Sequence, residues 1–377
     1  MKQLKSADPG EKLFTSYSQF PHETDTLTGE DVPVMNRRAR RVTGPWFTKS
    51  GHLAAAGTAL LVIQGAGCAS HHPGPLLIER PLAAARAGGS DQGLSLRLVT
   101  YNIWGLPSWL TGARAGRYPR IARELERLDP DVILLQEAWT TKSREAARLD
   151  ARWSMARAAG QHTFFQQCGL VTLSRFPIIG GQFYPFSRAA FPDRLVNKGV
   201  LKVTLELPDG QVLNVWNVHL QDGGSPGVRS AQVRELIARV RTAEDGQTAD
   251  LVAGDFNTTP GSALYRELSD VFGPSAQELN GGAPFVTWDG LSARAGAGQT
   301  LDHVFLRRRT RFQTVQASQH VAFSASRPEE RLSDHFGIEA ELNLRTGASL
   351  AGGIGPVLPN ASAPSLAPER VTYAAGD

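Results

Sequence analysis

Cysteine is nearly missing from this chain, with two residues, Cys68 and Cys168, in 377. That excludes a disulfide scaffold, so the core has to come from apolar packing. A dominant charge is missing too. Forty Lys and Arg stand against 36 Asp and Glu, a net charge of +4. Residues 1–67 hold eight basic and six acidic residues of that balance, which leaves +2 for the rest. A body so close to neutral lacks the basic field of a strong non-specific nucleic-acid binder, although a local basic groove stays open to it. The apolar and small-residue stretch Leu53–Gly67 falls short of the ~20 residues that a bilayer span needs. No internal repeat is evident.

The two ends carry their own signals. NRRARR (36–41) is a basic cluster, followed by Leu53–Gly67 and then GAGC ending at Cys68. Basic, then apolar, then small is the layout of a bacterial export signal. Cys68 after Ala66 and Gly67 reads as a lipoprotein cleavage site. Gly65 stands where Leu is usual, so ordinary cleavage nearby and an uncleaved anchor are the alternatives. Met35 directly precedes the basic cluster and is read as the true start. Residues 1–67 are thus an export leader. Residues 68–93, rich in Pro, Gly, Ala and Arg, are a flexible tether. Residues 94–343 form the folded domain, and 344–377 a disordered tail of Gly, Ala, Ser and Pro. The expected location is the cell envelope through Cys68, or secretion. Cys168 is then alone and is expected as a small buried hydrophobe.

Inside the domain, six segments each end an apolar run on a polar residue suited to phosphate or metal chemistry. They read TYNIWG (Asn102), LLQEAW (Glu137), NVHLQ (His219), AGDFNTTP (Asp255, Asn257), LDHVF (Asp302, His303) and LSDHFG (Asp334, His335). Leu96, Leu98, Val99 and Tyr101 lead to Asn102; Val132 to Leu135 lead to Glu137; Val212 to Val218 lead to His219; Leu251 to Ala253 lead to Asp255. Such short runs predict buried strands. A charged or amide group at the end of one is costly unless paired or bound to an ion, and six together point to a reaction centre.

The residue types specify the chemistry. A carboxylate with an amide suits a hard cation such as magnesium, with manganese as the alternative. A second carboxylate, beside an Asn that can donate to an oxyanion, suits water activation. Histidines suit an anionic phosphoryl group. Asp302 could hold His335 in one tautomer and stabilise its charged form. Together these predict metal-assisted hydrolysis of a phosphate ester.

The ordered set resembles the endonuclease/exonuclease/phosphatase superfamily over roughly residues 94 to 343, most specifically in GDFN followed by SDH. That superfamily includes DNase I-like nucleases, inositol phosphatases and neutral sphingomyelinases. The resemblance implies an α/β fold of two β-sheets packed face to face and flanked by helices, with the site at one end. It implies metal ligation by Asn102 and Glu137, with Asp334 near the metal. It implies contact of His219 with the scissile phosphate, water activation by Asp255, oxyanion stabilisation by Asn257, and a pair between Asp302 and His335. One position departs: Trp104 stands where some family nucleases carry a metal-binding Asp. LRLVTYNIWGLP, LLQEAW, CGLVTLSRFPI (168–178) and NKGVLKVTL (197–205) are most similar in wording to the neutral sphingomyelinase branch. The resemblance implies a magnesium-dependent phosphodiesterase acting on a phosphate ester such as a phospholipid; the N-terminal segment adds the expectation of export and a membrane tether, and a monomer is expected. The alternatives are an extracellular nuclease acting on nucleic acid, a sugar or inositol phosphate phosphatase, and an inactive lipid- or phosphate-binding module.

The remaining features read locally. Pro119 opens a helix whose Ile121, Leu125 and Leu128 share a face before Pro130, and Val233, Leu236, Ile237 and Val240 form a second stripe. Alternation turns His303 away from Asp302 into a structural role. Arg307, Arg308 and Arg309 read as a solvated strand end. Lys198 is open between a phosphate contact and a surface charge. Trp104, Leu106, Trp109 and Leu110, with Phe183, Tyr184, Phe186 and Phe191, either rim the site for a lipid surface or pack as ordinary loops.

Overall fold

The computed structural model describes residues 73–79, 94–106, 116–150, 152–159, 167–223, 225–243, 248–279, 281, 285–290, 298–307, 313–323 and 331–345. The leader, Cys68, Met35 and the tail beyond 345 lie outside them, as do Trp109, Leu110, Arg308 and Arg309. Among the described residues no helix is long and apolar enough to cross a membrane.

Among the described residues twelve strands make two sheets. The larger has the order β1 (Leu76–Glu79), β4 (Ser154–Ala158), β5 (Val171–Ser174), β3 (Val132–Gln136), β2 (Leu94–Asn102), β12 (Gly337–Arg345) and β11 (Gln313–Ala322), the smaller β10 (Asp302–Arg307), β9 (Ala249–Asp255), β8 (Val212–His219), β7 (Gly199–Glu206) and β6 (Ile178–Pro185). In the larger sheet β2 (Leu94–Asn102) runs parallel to β3 (Val132–Gln136), joined by helix α1 (Arg117–Leu128). In the smaller, β8 (Val212–His219) runs parallel to β9 (Ala249–Asp255), joined by α2 (Pro226–Thr242). The other named pairings are antiparallel, including β9 with β10 (Asp302–Arg307) and β2 with β12 (Gly337–Arg345). Each sheet therefore holds one β-α-β unit, and ligands gather beyond the carboxyl ends of such parallel strands.

Period-2 alternation sorts the side chains into layers. Leu96, Leu98, Val132 and Leu134 face Val203, Leu213, Val215 and Leu251 between the sheets. Val99, Tyr101, Ile133 and Leu135 face outward onto Ile121 and Leu125 of α1. Trp216, Val218 and Val252 meet Val233, Leu236 and Val240 of α2, with Leu268 and Phe272 of α3 (Ala263–Phe272). The result is helix, sheet, sheet, helix, as the resemblance implies. Strands buried on both faces explain the unbroken apolar runs of the sequence.

The helix ends obey local chemistry. Pro119 sits in the first turn of α1, and Asp129, left-handed at φ 53°, ends it before Pro130. Pro226 opens α2 at its first position. One expectation needs correction. Inside the span 68–93 read as a tether, Leu76–Glu79 forms strand β1 and pairs with Met155–Ala158 of β4. Four residues alternate between half-buried and exposed there, enough for an edge strand although too few to show a period.

Candidate active site

The site is built where strand ends line up. His219 pairs with Asp255 across the parallel β8–β9 ladder, and Asp255 pairs with Asp302 across β9–β10. Three candidate residues thus lie in one row on the smaller sheet. Facing them, Asn102 pairs with Gln136 at the ends of β2 and β3, one residue before Glu137. Backbone at the strand exits is strained. Trp104 (φ 48°), Glu137 (φ 60°) and Asn257 (φ 47°) are non-glycine residues in the left-handed region, a conformation kept where function requires it. Gly105 lets the loop after β2 cross the Glu137 backbone, since a Cβ there would collide with the Glu137 carbonyl.

Asp255 is the hub. Its Oδ2 accepts from Asn102 Nδ2 at 3.0 Å and lies 3.6 Å from His219 Nε2 and 3.7 Å from His335 Nε2. Its Oδ1 accepts from the Asn257 backbone N–H at 2.9 Å. Asn102 Nδ2 also donates to Glu137 Oε1 at 3.1 Å, joining the two sheets through one amide. His335 Nδ1 lies 2.9 Å from Asp302 Oδ2. Asp302 is held in place by Thr287, whose hydroxyl accepts from the Leu301 and Asp302 backbone N–H groups at 2.8 and 3.1 Å. Asn257 donates its side-chain amide to the Leu220 carbonyl at 3.1 Å. Asp334 lines the same cleft, 3.4 Å from Trp288 Nε1. Six of the eight predicted site residues, Glu137, His219, Asp255, Asn257, Asp334 and His335, line one cleft of about 910 Å³, and Asn102 and Asp302 are hydrogen-bonded to them.

Burial and charge tune these groups. Burial, and then the Asp302 carboxylate beside it, push Asp255 up to about 7. Burial opposes charge on His335, but Asp302 and Asp255 outweigh it and hold the imidazole at about 10. His219 is driven well below its ordinary value by burial, then by the cations at Lys198 and His335. It is neutral, so its Nε2 accepts from Lys198 Nζ at 2.9 Å. Burial, then Asp334, raises the Glu137 carboxyl.

Lys198 is not a surface charge. It is buried, and Nζ also bonds Asp193 Oδ2 at 2.7 Å and donates to the Leu220 carbonyl at 3.1 Å. His303 is turned from the cleft, as alternation requires, with Nε2 2.6 Å from the Thr258 carbonyl and Tyr265 against its ring. Arg307 is buried at the end of β10, where the sequence reading has a solvated end. Phe183 and Phe186 are buried and Tyr184 stacks on Trp216, so of that aromatic group Phe191 alone is exposed. Trp104 and Leu106 do line the cleft. Cys168 is buried, and its Sγ accepts from the Leu170 N–H at 3.4 Å.

Sequence reasoning missed Arg117. This buried guanidinium donates to the Ile103 and Leu332 carbonyls at 2.8 Å each, to the Trp104 carbonyl and to Tyr118 Oη at 2.9 Å. It ties the loop after Asn102 to the loop before Asp334 and His335. An Arg opening a helix carries no sequence signal of such a role. Trp139, tilted over the His219 ring at 6.0 Å, was missed also.

Two sets of residues could hold a cation. Asp255, Asp302 and His335 bring ligand atoms within 4.8 Å of one another. Their His335, however, is protonated and bonded to Asp302, which suits a charge relay better than ligation. Glu137, Asp334 and the Asn102 side chain form an oxygen set fit for a hard divalent ion. Burial raises both carboxyls of that set, and a cation would relieve the cost of two desolvated acids.

Residues 99–335 match the Endonuclease/Exonuclease/phosphatase family. The chain belongs to that family. It is 27% identical over 276 residues to a Drosophila melanogaster protein named "Putative neutral sphingomyelinase", covering 67% of this chain and 61% of that one. It is 27% identical over 191 residues to inositol phosphosphingolipids phospholipase C of Schizosaccharomyces pombe, covering 48% and 45%. The chain thus spans roughly half the length of these relatives. Its fold matches that of a beta toxin mutant from Staphylococcus aureus with bound magnesium ions, at TM-score 0.51 and 18% identity, over 66% of this chain and 99% of the toxin.

Proposed function

We propose that this family member is a divalent-metal-dependent phosphodiesterase acting on a phospholipid of sphingolipid type. The observation that carries this reading is the single oxygen, Asp255 Oδ2, ringed by Asn102, His219 and His335. Such an oxygen can hold and deprotonate a water aimed at phosphorus. Its carboxyl near 7 is matched to taking a proton in neutral solution. His335, kept charged by Asp302, faces the same point and offsets the charge of the phosphoryl oxygens. Asn257, fixed at Leu220, lines the cleft next to them. Neutral His219 with Lys198 forms the opposite wall, placed to meet the scissile phosphate. Asn102, Glu137 and Asp334 would hold the cation, magnesium first and manganese second, which supplies Lewis-acid relief of charge on phosphoryl and leaving oxygens. Water adds its oxygen to phosphorus, Asp255 takes the proton, and the bond to the alkoxide breaks.

The lipid substrate draws support from the names of the relatives and from apolar cleft walls at Trp139, Leu195, Val196, Leu264 and Trp288. Export through the leader and anchoring at Cys68 belong to the same proposal, supported by the basic and apolar order of the sequence.

The test is a purified-protein panel of sphingomyelin, a lysophospholipid, plasmid DNA and inositol phosphates, each with and without EDTA. Cleavage of the choline lipid, abolished by EDTA and restored by magnesium, is expected. Cleavage confined to DNA would make the protein a nuclease, and no turnover at all would leave a binding module. Asp255→Ala should lower the rate at least ~10²-fold with the fold intact.

A further inference from the structure

Among the described residues three large hydrophobic side chains are exposed: Leu77 at 39%, Ile179 at 50% and Phe191 at 58%. Phe191 is the one beside the cleft, because the next residues in the chain, Pro192 and Asp193, line it. It stands on the loop between β6 (Ile178–Pro185) and β7 (Gly199–Glu206). Phe186 N–H donates to the Lys198 carbonyl at 3.0 Å and closes the base of that loop.

The loop is built, not slack. The Ala190 N–H donates to buried Gln221 at 2.8 Å, and buried Gln232 donates to the Arg188 carbonyl at 2.7 Å. Ser187 N–H donates to Glu235 at 2.9 Å. The Asp193 carboxylate, itself buried, takes Lys198 and the Asp222 N–H, each at 2.7 Å. Gln232 and Glu235 of α2, Gln221 after β8, and the Asp193–Lys198 pair within the loop thus hold the backbone in a form that presents Phe191 and Pro192 to solvent.

Cations outnumber unpaired acids around that tip. Arg188 and Arg194 are exposed, and the Arg194 guanidinium lies 6.0 Å from the Phe191 ring. Arg229 lines the cleft behind them. The acids nearby are Asp193, neutralised by Lys198; Glu235, bound to Ser187; and exposed Asp222. A fixed aromatic ring beside the Arg194 guanidinium, at the mouth of a cleft and on a loop that also exposes Arg188, matches the two layers of an anionic bilayer surface: apolar chains below and negative headgroups above.

We infer that the loop 186–198 is a docking lip for an anionic lipid surface. Phe191 and Pro192 enter the interface, Arg188 and Arg194 pair with headgroups, and the cleft opens onto the membrane where a lipid headgroup can rise into it. The inference rests on the lipid reading of the cleft.

The experiment is co-sedimentation of the full chain with vesicles of phosphatidylcholine alone and of phosphatidylcholine with phosphatidylserine. Turnover of a soluble chromogenic phosphodiester is read in parallel. Wild type should partition into the anionic vesicles more strongly, and salt should weaken that preference. Phe191→Ala should reduce partition about tenfold, and Arg188→Glu with Arg194→Glu by about tenfold or more. Soluble turnover should stay at the wild-type level in both variants. Equal binding to both vesicle types, or unchanged partition in both variants, overturns the lip. So does a matching loss of soluble turnover, which would place these residues in the chemistry. If wild type turns over no diester while the vesicle results hold, the phosphodiesterase reading fails and the lip stands.

Discussion

At His335 two effects oppose each other. Burial removes water from the imidazolium, while Asp302 at 2.9 Å and Asp255 at 3.7 Å favour it, and the carboxylates win. Asp255 moves the same way for a different reason, since burial and the like charge of Asp302 both disfavour its anion. A base works deprotonated, so kcat/KM should rise as pH passes about 7. A charged His335 works protonated, so the rate should fall as pH passes about 10. Asp302→Asn removes the carboxylate that raises both groups, so both limbs of the profile should move to lower pH. A pH–rate profile whose limbs stay in place would show that Asp302 does not set either group. The same scale explains Lys198. Its charge was plain in the sequence, but its burial against Asp193 and His219 depends on a loop fold that one residue type cannot announce.

At the scale of elements, the site depends on how strands end. Gly254 adopts φ 144°, and a Cβ there would run into the Val218 carbonyl of the neighbouring strand. Gly254→Ala should therefore lower unfolding free energy by roughly 3 kcal/mol, seen as an earlier denaturation midpoint. A stability unchanged by that methyl would mean β8 and β9 can part without cost. Arg117 acts between elements, linking the exit of β2 to the loop that carries Asp334 and His335. Arg117→Lys keeps the charge but cannot span the same acceptors. A drop of ~10- to 100-fold in kcat, with KM less affected, is expected from the lost alignment. Wild-type kcat in that variant would reduce Arg117 to packing.

Across the whole molecule the two sheets must keep register, because Asn102 and Glu137 belong to one and His219, Asp255 and Asp302 to the other. A polar seam crosses the apolar layer just below the site. Gln136 Nε2 donates to Asn217 Oδ1 at 2.8 Å, and Asn217 Nδ2 donates to the Leu135 and Val171 carbonyls at 3.1 Å each. All of this is buried, so a missing partner leaves polar groups dry. Asn217→Leu should cost about 2–3 kcal/mol in chemical denaturation and also lower turnover, since Gln136 precedes Glu137. If stability falls while kcat holds, the seam supports the fold without setting the site.

By itself the sequence determined the strand ends. Asn102, Glu137, His219 and Asp255 were legible because a polar residue closing an apolar run is a local pattern with a local cost. It also determined the two helices with apolar stripes and, by alternation, the turning away of His303. Only the tertiary structure decided that Arg117, Thr287 and Asn217 hold the site together, that Phe186 is buried while Phe191 is exposed, and that Leu76–Glu79 is a strand. Those outcomes depend on which surfaces meet across the chain, and packing between distant segments leaves no period in the order of residues.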